Sequence, residues 1–226
     1  GGADDLVQAT LRACTPLPFQ DDPLRILRVV RMAAQLEFQI ANQTISYLKD
    51  AVPLLVNVSP ERIRDEIFRI LEGKKTAAAM ASLRTLGVIP RLPLAVHEYS
   101  TRVQRILGSL EILLQVLGKH HDPEQAADWM RGLLALRLGR FRTQIHTHLS
   151  GELVPERSVR TLANLVGLHM AGDEAMQSLP KSAQMLCLSN AEIQYLNRIT
   201  GALDALDAIC SRGSLPDRRD IYRYFH

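Results

Sequence analysis

The stretch Asp21-Asp22-Pro23-Leu24-Arg25-Ile26-Leu27-Arg28-Val29-Val30-Arg31-Met32 predicts the start of an amphipathic helix. An acidic residue, then proline, then a run of good helix formers is typical of a helix N-terminus. We therefore expect a helix from about Pro23 to Leu36, with Asp22 as its N-cap. The apolar positions recur every three or four residues, at Leu24, Leu27, Val30 and Ala34. This spacing places them on one face of the helix, which predicts a packed helical fold.

Three further helices are predicted directly after this stretch. Asn42 is the expected N-cap of the second, which ends before Pro53, and Ser59-Pro60 is a typical start for the third. Glycines that follow the segments with periodic apolar residues are expected to end the helices. The third and fourth helices are thus predicted over residues 61–72 and 74–86, with Gly73 and Gly87 as terminators. Short connections between the four helices are typical of a compact helical unit.

The helical pattern continues towards the end of the chain, so the predicted fold class is all-α. Ser189 and Glu192 form a capping box before the last long helix. Prolines at 90 and 93 mark the expected boundary between two helical regions, although one continuous helical array fits the pattern equally well. After this boundary, helices are expected from near Val103 to Gly118, over residues 124–138, 141–149, 156–170 and 190–209, and after Pro216.

Residues 1–20 differ from the rest of the chain because they contain two glycines and the prolines Pro16 and Pro18. The prolines argue against a long helix in this segment. We expect a short irregular or extended N-terminal arm, with a strand within residues 7–12 whose partner lies outside this chain. After residue 20, no segment shows the alternation of apolar and polar residues that is typical of a strand.

The bulk composition allows a packed core and argues against several classes of protein. The chain has 226 residues, of which 46% are hydrophobic, and a formal net charge of +3 with a pI near 8.9. This mildly basic balance is compatible with a polyanionic partner but does not require one. Cys14, Cys187 and Cys210 lie far apart, which argues against a disulfide framework or a zinc site. With no apolar run of membrane-spanning length, we expect a soluble protein of the cytoplasm.

Asp22 and Arg25 are the first candidate site residues. Side chains three positions apart are neighbours on a helix, so a carboxylate and a guanidinium are expected side by side. The pair fits two roles: a helix cap with a salt bridge, or a reader of the edge of a nucleobase. Cytosine and adenine both present an amine beside a ring-nitrogen acceptor, whereas uracil and guanine present a carbonyl beside an N–H. A carboxylate and a guanidinium in this arrangement would therefore select C and A without a template.

The string Asp21-Asp22-Pro23-Leu24-Arg25-Ile26-Leu27-Arg28, followed by Met32-Ala33-Ala34-Gln35-Leu36, resembles a known motif. It is the nucleotide-recognition motif, Glu/Asp-Asp-x-x-Arg-x-x-Arg, of the class II tRNA nucleotidyltransferase and poly(A) polymerase family. The resemblance implies that Asp22 and Arg25 read the base. Arg28 has two alternative roles, facing the nucleotide triphosphate or facing RNA and solvent. Asp21 stands where this family usually has Glu, so either Asp21 or Asp22 is expected to cap the helix.

A second string, Ser59-Pro60-Glu61-Arg62-Ile63-Arg64-Asp65-Glu66, resembles the motif Glu-Arg-x-x-x-Glu of the same family. The resemblance implies that Glu61, Arg62 and Glu66 support the recognition motif and that at least one of them bonds to the first helix. The residues alone allow another interpretation, a solvated charged face, because Glu61 and Glu66 do not share one narrow face of a helix. The N-terminal string Gly1-Gly2-Ala3-Asp4-Asp5-Leu6 is similar to the connection between the catalytic head and the helical neck of this family.

By this resemblance, residues 1–20 are the connection from a missing catalytic head, residues 21–92 are a helical neck, and residues 93–226 are a helical body that binds the acceptor and T arms of tRNA. The implied activity is template-independent addition of C and/or A to tRNA 3′ ends, with CTP, ATP and Mg²⁺ used by the complete enzyme. Metal-binding carboxylates would belong to the head, so the isolated chain is expected to be inactive. Enzymes that add CCA, CC, A or poly(A) share the motif, and these alternatives stay open.

A protein of a different class also fits the sequence, namely a non-catalytic helical module that binds RNA or protein. A homodimer through apolar positions between helices is compatible with either interpretation. Candidate contacts to RNA phosphates are the cations Lys74, Lys75, Arg84, Arg91, Arg137, Arg140 and Arg142. His120-His121-Asp122 invites comparison with metal-dependent phosphohydrolases. However, Asp122-Pro123 is more typical of a surface turn that starts a helix, and no metal site is predicted.

Overall fold

The computed structural model of the chain describes residues 2–96, 99–118, 129–155, 157–170, 177–211, 217 and 219. Helices dominate these residues, and the strands form two short two-stranded sheets. The predicted all-α class is therefore confirmed. The chain divides into two compact units, Gly1–Cys187 and Leu188–His226. The boundary near residue 92 that the prolines suggested stays a prediction.

The first part of the larger unit consists of short elements that follow one another closely. They are α1 (Gly2–Val7), β1 (Thr10–Leu11), α2 (Leu17–Asp21), α3 (Arg25–Leu36), β2 (Gln39–Ile40), α4 (Asn42–Ala51), α5 (Pro60–Leu71) and α6 (Thr76–Thr85). Short 3₁₀ helices occupy Val52–Asn57 and Ile89–Arg91. The four helices predicted after residue 20 correspond to α3, α4, α5 and α6.

The second part of this unit is also mainly helical. Its elements are α7 (Thr101–Leu117), α8 (Trp129–Leu138), α9 (Arg142–Ser150), the antiparallel strands β3 (Glu152–Val154) and β4 (Arg157–Ser158), α10 (Val159–His169) and α11 (Leu179–Met185). A 3₁₀ turn at Gly139–Phe141 joins α8 to α9. The smaller unit contains α12 (Asn190–Cys210). No helix in the described ranges is long and apolar enough to cross a membrane.

An apolar face fixes α3 against α5 and α6. Ile26, Leu27 and Val30 of α3 are at most 1% exposed, and Ile67 and Leu71 of α5 are fully buried. Burying one such side chain stabilises the fold by about 1.5–3 kcal/mol relative to leaving it exposed. The spacing predicted for the apolar stripe of α3 therefore agrees with its buried face. The packing of this face also determines the direction in which the polar side chains of α3 point.

The N-terminal arm is more regular than expected. It contains α1 and α2, and β1 pairs in parallel with β2, with Thr10 opposite Gln39 and Leu11 opposite Ile40. The expectation of a partner outside the chain was wrong, because β2 supplies it. The expectation of no strand after residue 20 was also wrong. Strands of two or three residues are too short to show an alternating pattern, so periodicity cannot reveal them.

The predicted positions of the helix starts agree with the structure better than the predicted capping bonds do. Asp22 is not the N-cap of α3, because the helix begins at Arg25 after Leu24 and has no side-chain cap. Asn42 is the first residue of α4 rather than its cap. Ser59 is the N-cap of α5 as predicted, but its side chain makes no capping bond. The residue before each helix is thus predicted within three positions, while the bonds of its side chain depend on the tertiary structure.

Two other boundary predictions are confirmed. The Ser189 hydroxyl accepts a hydrogen bond from Glu192 N at 3.4 Å, and the Glu192 carboxylate accepts one from Ser189 N at 2.8 Å, which forms the capping box. Gly87 follows α6 with φ at +76°, a left-handed conformation that favours glycine. The His120-His121-Asp122 turn lies outside the described residues, and so does the terminal helix predicted after Pro216, apart from residues 217 and 219.

Candidate functional site

The turn before α3 is held by a contact with α5. Asp22 follows α2 with an extended backbone, and its carbonyl oxygen accepts a hydrogen bond from Arg25 N at 3.1 Å. Arg62 Nη2 donates to both carboxylate oxygens of Asp22, at 3.1 and 3.0 Å. The side chains of Arg62 and Asp22 remain 52% and 23% exposed. The carboxylate is thus oriented by Arg62 and keeps lone pairs for another donor.

Arg25 is the first residue of α3, and its side chain is exposed. Within the part of the chain that the structure describes, its guanidinium has neither a hydrogen bond nor an ion pair. Asp22 and Arg25 were expected to be neighbours on one helix. This expectation was wrong, because a tight turn, rather than a helix, places both residues at the entrance of α3. The turn therefore combines an oriented acceptor with a donor that has no partner.

Glu66 of α5 lies among three arginines. It is 1% exposed, and its carboxylate is 2.6 Å from Arg31 Nε, 3.5 Å from Arg69 Nη1 and 3.8 Å from Arg28 Nε. A buried carboxylate needs such partners, because an unpaired charge in the interior is costly. Since Arg28 and Arg31 belong to α3, these ion pairs join α5 to α3 beside the turn of Asp22.

The second motif thus touches the first at two points. Arg62 binds Asp22, and Glu66 binds α3, as the resemblance implied for at least one residue of this motif. Glu61 and Asp21, the other two residues predicted to support the recognition motif, do not take part in these bonds. Glu61 accepts a contact from the Cys187 thiol at 3.8 Å, and Asp21 is the exposed last residue of α2.

Arg31 is the site residue that sequence reasoning missed. It donates from Nε to Glu66 and from Nη1 to the Gln35 side chain at 3.1 Å. A signal was present in the sequence, because Arg31 continues the three-residue spacing of Arg25 and Arg28. The sequence did not indicate that Glu66, the partner of Arg31, is buried, because the other charged residues of the same motif are mostly exposed.

The predicted RNA-binding cations fall into three groups. Arg84 and Arg142 donate to backbone carbonyl oxygens, of Tyr99 at 3.3 Å and Gly118 at 2.8 Å, so both support the fold. Two others have local side-chain contacts: Lys75 lies 3.5 Å from Glu37, and the Arg140 guanidinium stacks 4.9 Å from the centroid of the Phe141 ring. The remaining three candidates, Lys74, Arg91 and Arg137, are exposed and have no hydrogen bond or ion pair with any described residue.

The start of α6, close to Lys75, is fixed by two polar contacts. The Glu111 carboxylate accepts a hydrogen bond from Ala77 N at 2.5 Å, and the Tyr99 hydroxyl donates to Ala77 O at 3.3 Å. Burial, with the neighbouring Glu111 charge, raises the pKa of Tyr99 to about 12, so the hydroxyl stays protonated as a donor. Burial also raises the pKa of Glu111 above its usual value. These bonds hold the region that carries Lys74 and Lys75.

The acidic residues of this site are poorly suited to bind a metal ion. Asp22 faces Arg62, and Glu66 faces three arginines, so their negative charge is already compensated. Among the residues that the structure describes, no three His, Cys, Asp or Glu side chains converge to hold a cation. The site therefore does not fit the Mg²⁺ expected for nucleotidyl transfer, and we assign no metal to it.

Comparison with protein families identifies one matching segment. Residues 37–97 match the family model described as "Probable RNA and SrmB- binding site of polymerase A". The matched segment includes α4, α5 and α6, and thus Arg62 and Glu66. It begins immediately after α3, so the turn of Asp22 and Arg25 lies outside it.

The matches to curated relatives are longer than the segment matched by the family model. The chain is 51% identical over 88 residues to the CC-adding tRNA nucleotidyltransferase of Geobacter sulfurreducens, which covers 39% of this chain and 20% of that protein. It is 30% identical over 120 residues to the CCA-adding enzyme of Limosilactobacillus reuteri, with coverages of 53% and 27%. The chain therefore spans about a fifth to a quarter of the length of these relatives.

Among solved structures, a "tRNA-processing enzyme (apo form 2)" is similar to the chain with a TM-score of 0.66 and 19% identity. The match covers 99% of this chain and 54% of that protein. At this level of identity the comparison shows a common fold. The similarity in fold therefore extends beyond the segment that the family model matches.

Proposed function

We propose that this chain, which belongs to the class II tRNA nucleotidyltransferase and poly(A) polymerase family, supplies base recognition and RNA binding for the template-independent addition of C and/or A to tRNA 3′ ends. The contact of Arg62 with Asp22, beside the unpartnered guanidinium of Arg25, carries the proposal. The Asp22 carboxylate is thus oriented by Arg62, and the exposed guanidinium of Arg25 has no partner among the described residues.

The selection of C and A follows from the donors and acceptors of the turn. The Asp22 carboxylate accepts from the exocyclic amine, and the Arg25 guanidinium donates to the neighbouring ring nitrogen. With uracil or guanine, a carbonyl would face the carboxylate and an N–H would face the guanidinium. A bidentate pair of this kind discriminates by about 1–3 kcal/mol. Arg62 acts as a positioning residue, because it touches Asp22 rather than the base.

Arg28 is suited to a phosphate contact one turn further along α3. Its side chain is 45% exposed, and it is only loosely paired with Glu66 at 3.8 Å. We assign Arg28 to the triphosphate of the incoming nucleotide. Lys74, Arg91 and Arg137 are assigned to RNA phosphates, because their charges are exposed and uncompensated within the described part of the chain.

The bond-forming step requires carboxylates that hold metal ions between the attacking and leaving oxygens. The site of this chain does not fit that task, so we assign those carboxylates and Mg²⁺ to a head domain outside residues 1–226. The chain alone would then bind CTP, ATP and tRNA without catalysing transfer. The cytoplasm as the place of action and a homodimer remain predictions of the sequence.

A nucleotide-selection assay tests the proposal. The natural polypeptide that contains residues 1–226 is incubated with a tRNA that lacks its CCA end and with each of the four nucleoside triphosphates in turn. Asp22→Ala and Arg25→Ala are each expected to lower the preference for CTP and ATP over UTP and GTP by about fivefold or more, which corresponds to the lower end of the discrimination given above. Arg105→Gln, an exposed substitution on α7, is the control.

Two results would contradict the proposal in different ways. Unchanged exclusion of UTP and GTP in both variants would remove the base-reading role from the turn. A natural polypeptide that binds tRNA but transfers no nucleotide would instead support the non-catalytic helical module. The identity of the added nucleotides separates CCA, CC, A and poly(A) addition.

A further inference from the structure

A polar cleft of about 330 Å³ opens between α3, α5 and the β3–β4 hairpin. Its polar lining includes three arginines and two carboxylates, namely Arg31, Arg69, Arg157, Asp65 and Glu72. The volume lies at the lower end of the range for small-molecule sites, which is about 300–1,000 Å³. Neither Asp22 nor Arg25 lines the cleft, so it is separate from the nucleotide-recognition turn.

Positive charge exceeds negative charge around this cleft. Within the described residues, the carboxylates at or next to it are Asp65, Glu66 and Glu72, and each is bonded to arginine. The bonded arginines are Arg64 and Arg157 on Asp65, Arg28, Arg31 and Arg69 on Glu66, and Arg160 on Glu72. Six arginines thus share three carboxylates in and around the cleft, and the lining itself, with three arginines and two carboxylates, is also net positive.

One of the lining arginines, Arg69, can donate to a further acceptor. Arg69 is 58% exposed, and its Nη1 lies 3.5 Å from Glu66, so most of its N–H donors remain available. Arg157 lies with its guanidinium 5.2 Å from the centroid of the Phe68 ring, which holds the fork in a defined orientation. Arg31 is fixed by Glu66 and Gln35. Arg31 and Arg157 are therefore held in place before any ligand arrives.

We propose that this cleft binds a phosphate group, as a second anion site next to the recognition turn. Arginine suits this ligand because its planar fork makes two parallel hydrogen bonds to phosphate oxygens. The group is either a backbone phosphate of RNA or a free phosphate ion, which share the same tetrahedral oxygens. The inference rests on the cleft and its charge, and it does not require the proposed function.

Titration calorimetry with inorganic phosphate at constant ionic strength tests the site on the full chain. Arg69→Gln removes a charged donor from the cleft and is expected to weaken phosphate binding about tenfold, the lower end of the effect of a hydrogen bond to a charged group. Arg157→Lys keeps the charge but loses the fork, so it is expected to weaken binding as well. Arg105→Gln makes the same charge change on the exposed face of α7 and should leave binding unchanged.

Titration with tRNA distinguishes the two sources of phosphate. If Arg69→Gln weakens tRNA binding and inorganic phosphate competes with tRNA, the cleft holds a backbone phosphate. If tRNA binding is unaffected while phosphate binding is weakened, the ligand is a free ion. Equal phosphate binding by the wild type, Arg69→Gln and Arg157→Lys, each shown to be folded by circular dichroism, would overturn the proposal. A chain that binds phosphate but does not bind tRNA would count against the proposed function. This result would leave the assignment of the cleft as a phosphate site unchanged.

Discussion

The α3–α5 interface and the α10–α11 contact both bury polar groups, but with different chemistry. At the first, the charge of Glu66 is compensated by arginines that reach the surface, such as Arg69 at 58% exposure. At the second, His169 and Ser182 are fully buried and form hydrogen bonds with each other. The charged interface can exchange a partner with an incoming ligand, whereas the enclosed contact has no route to one. Both contacts are therefore expected to stabilise the fold, but a role in ligand binding is expected only at the first.

The hydrogen bonds of the α10–α11 contact determine the protonation of its histidine. Nδ1 of His169 lies 2.9 Å from Leu165 O, which can only accept, so Nδ1 carries the proton. Nε2 is then the acceptor for the Ser182 hydroxyl at 2.7 Å. Ser182 in turn accepts from Ala95 N at 2.7 Å. The network is satisfied with a neutral imidazole, and it ties residues 94–96 to α10 and α11.

The largest expected effect is at the charged interface. Glu66→Ala removes the buried carboxylate and leaves the guanidinium of Arg31, which is only 22% exposed, without its main partner. Breaking a buried ion pair from one side costs about 3–5 kcal/mol, and we expect the lower end because the arginines can reach water. Urea denaturation measures the free energy of unfolding. Glu61→Ala, in the exposed first turn of the same helix, should cost less than about 1 kcal/mol. A similar small loss for Glu66→Ala would show that the ion pairs do not hold α3.

A smaller effect is expected at the neutral contact, and it depends on pH. Burial lowers the pKa of His169 below its usual value near 6.5, so the unfolded chain binds a proton that the folded chain excludes. The stabilising contribution is therefore complete above about pH 6.5 and is lost as the pH falls from there towards the folded pKa. Unfolding experiments between pH 8 and pH 5 should show this slope.

His169→Gln is the variant that isolates this slope, because it removes the titrating group. The difference in unfolding free energy between wild type and His169→Gln should shrink as the pH falls below 6.5. His148→Gln, on the exposed side of α9, controls for the loss of an imidazole elsewhere. A constant difference across the whole pH range would show that His169 does not favour the neutral form in the folded protein.

The two regions were not equally predictable from the sequence. The period of Leu24, Leu27 and Val30 predicted the buried face of α3, because helical packing depends on local spacing. The motifs of residues 21–28 and 59–66 indicated the charged interface. His169 and Ser182 carry no such signal, since their contact depends on how α10 and α11 approach in space. Likewise β1 and β2 are too short to detect, and their pairing joins residues about 30 positions apart.

The smallest effect on stability is expected at Arg62, and it should be accompanied by a change in nucleotide selection. Arg62→Gln removes an ion pair in which Arg62 is 52% exposed, so the cost in unfolding free energy is expected to be below about 1 kcal/mol. The same change frees the Asp22 carboxylate to rotate, which should lower the preference for CTP and ATP in the nucleotide-selection assay. Arg62→Lys keeps the charge and should restore part of the preference, since Nη2 alone contacts both carboxylate oxygens.

His169→Gln should behave in the opposite way, losing stability while keeping nucleotide selection. If Arg62→Gln instead destabilised the fold and left selection intact, its contact with Asp22 would be structural, and the division of roles between the charged and neutral regions would be wrong.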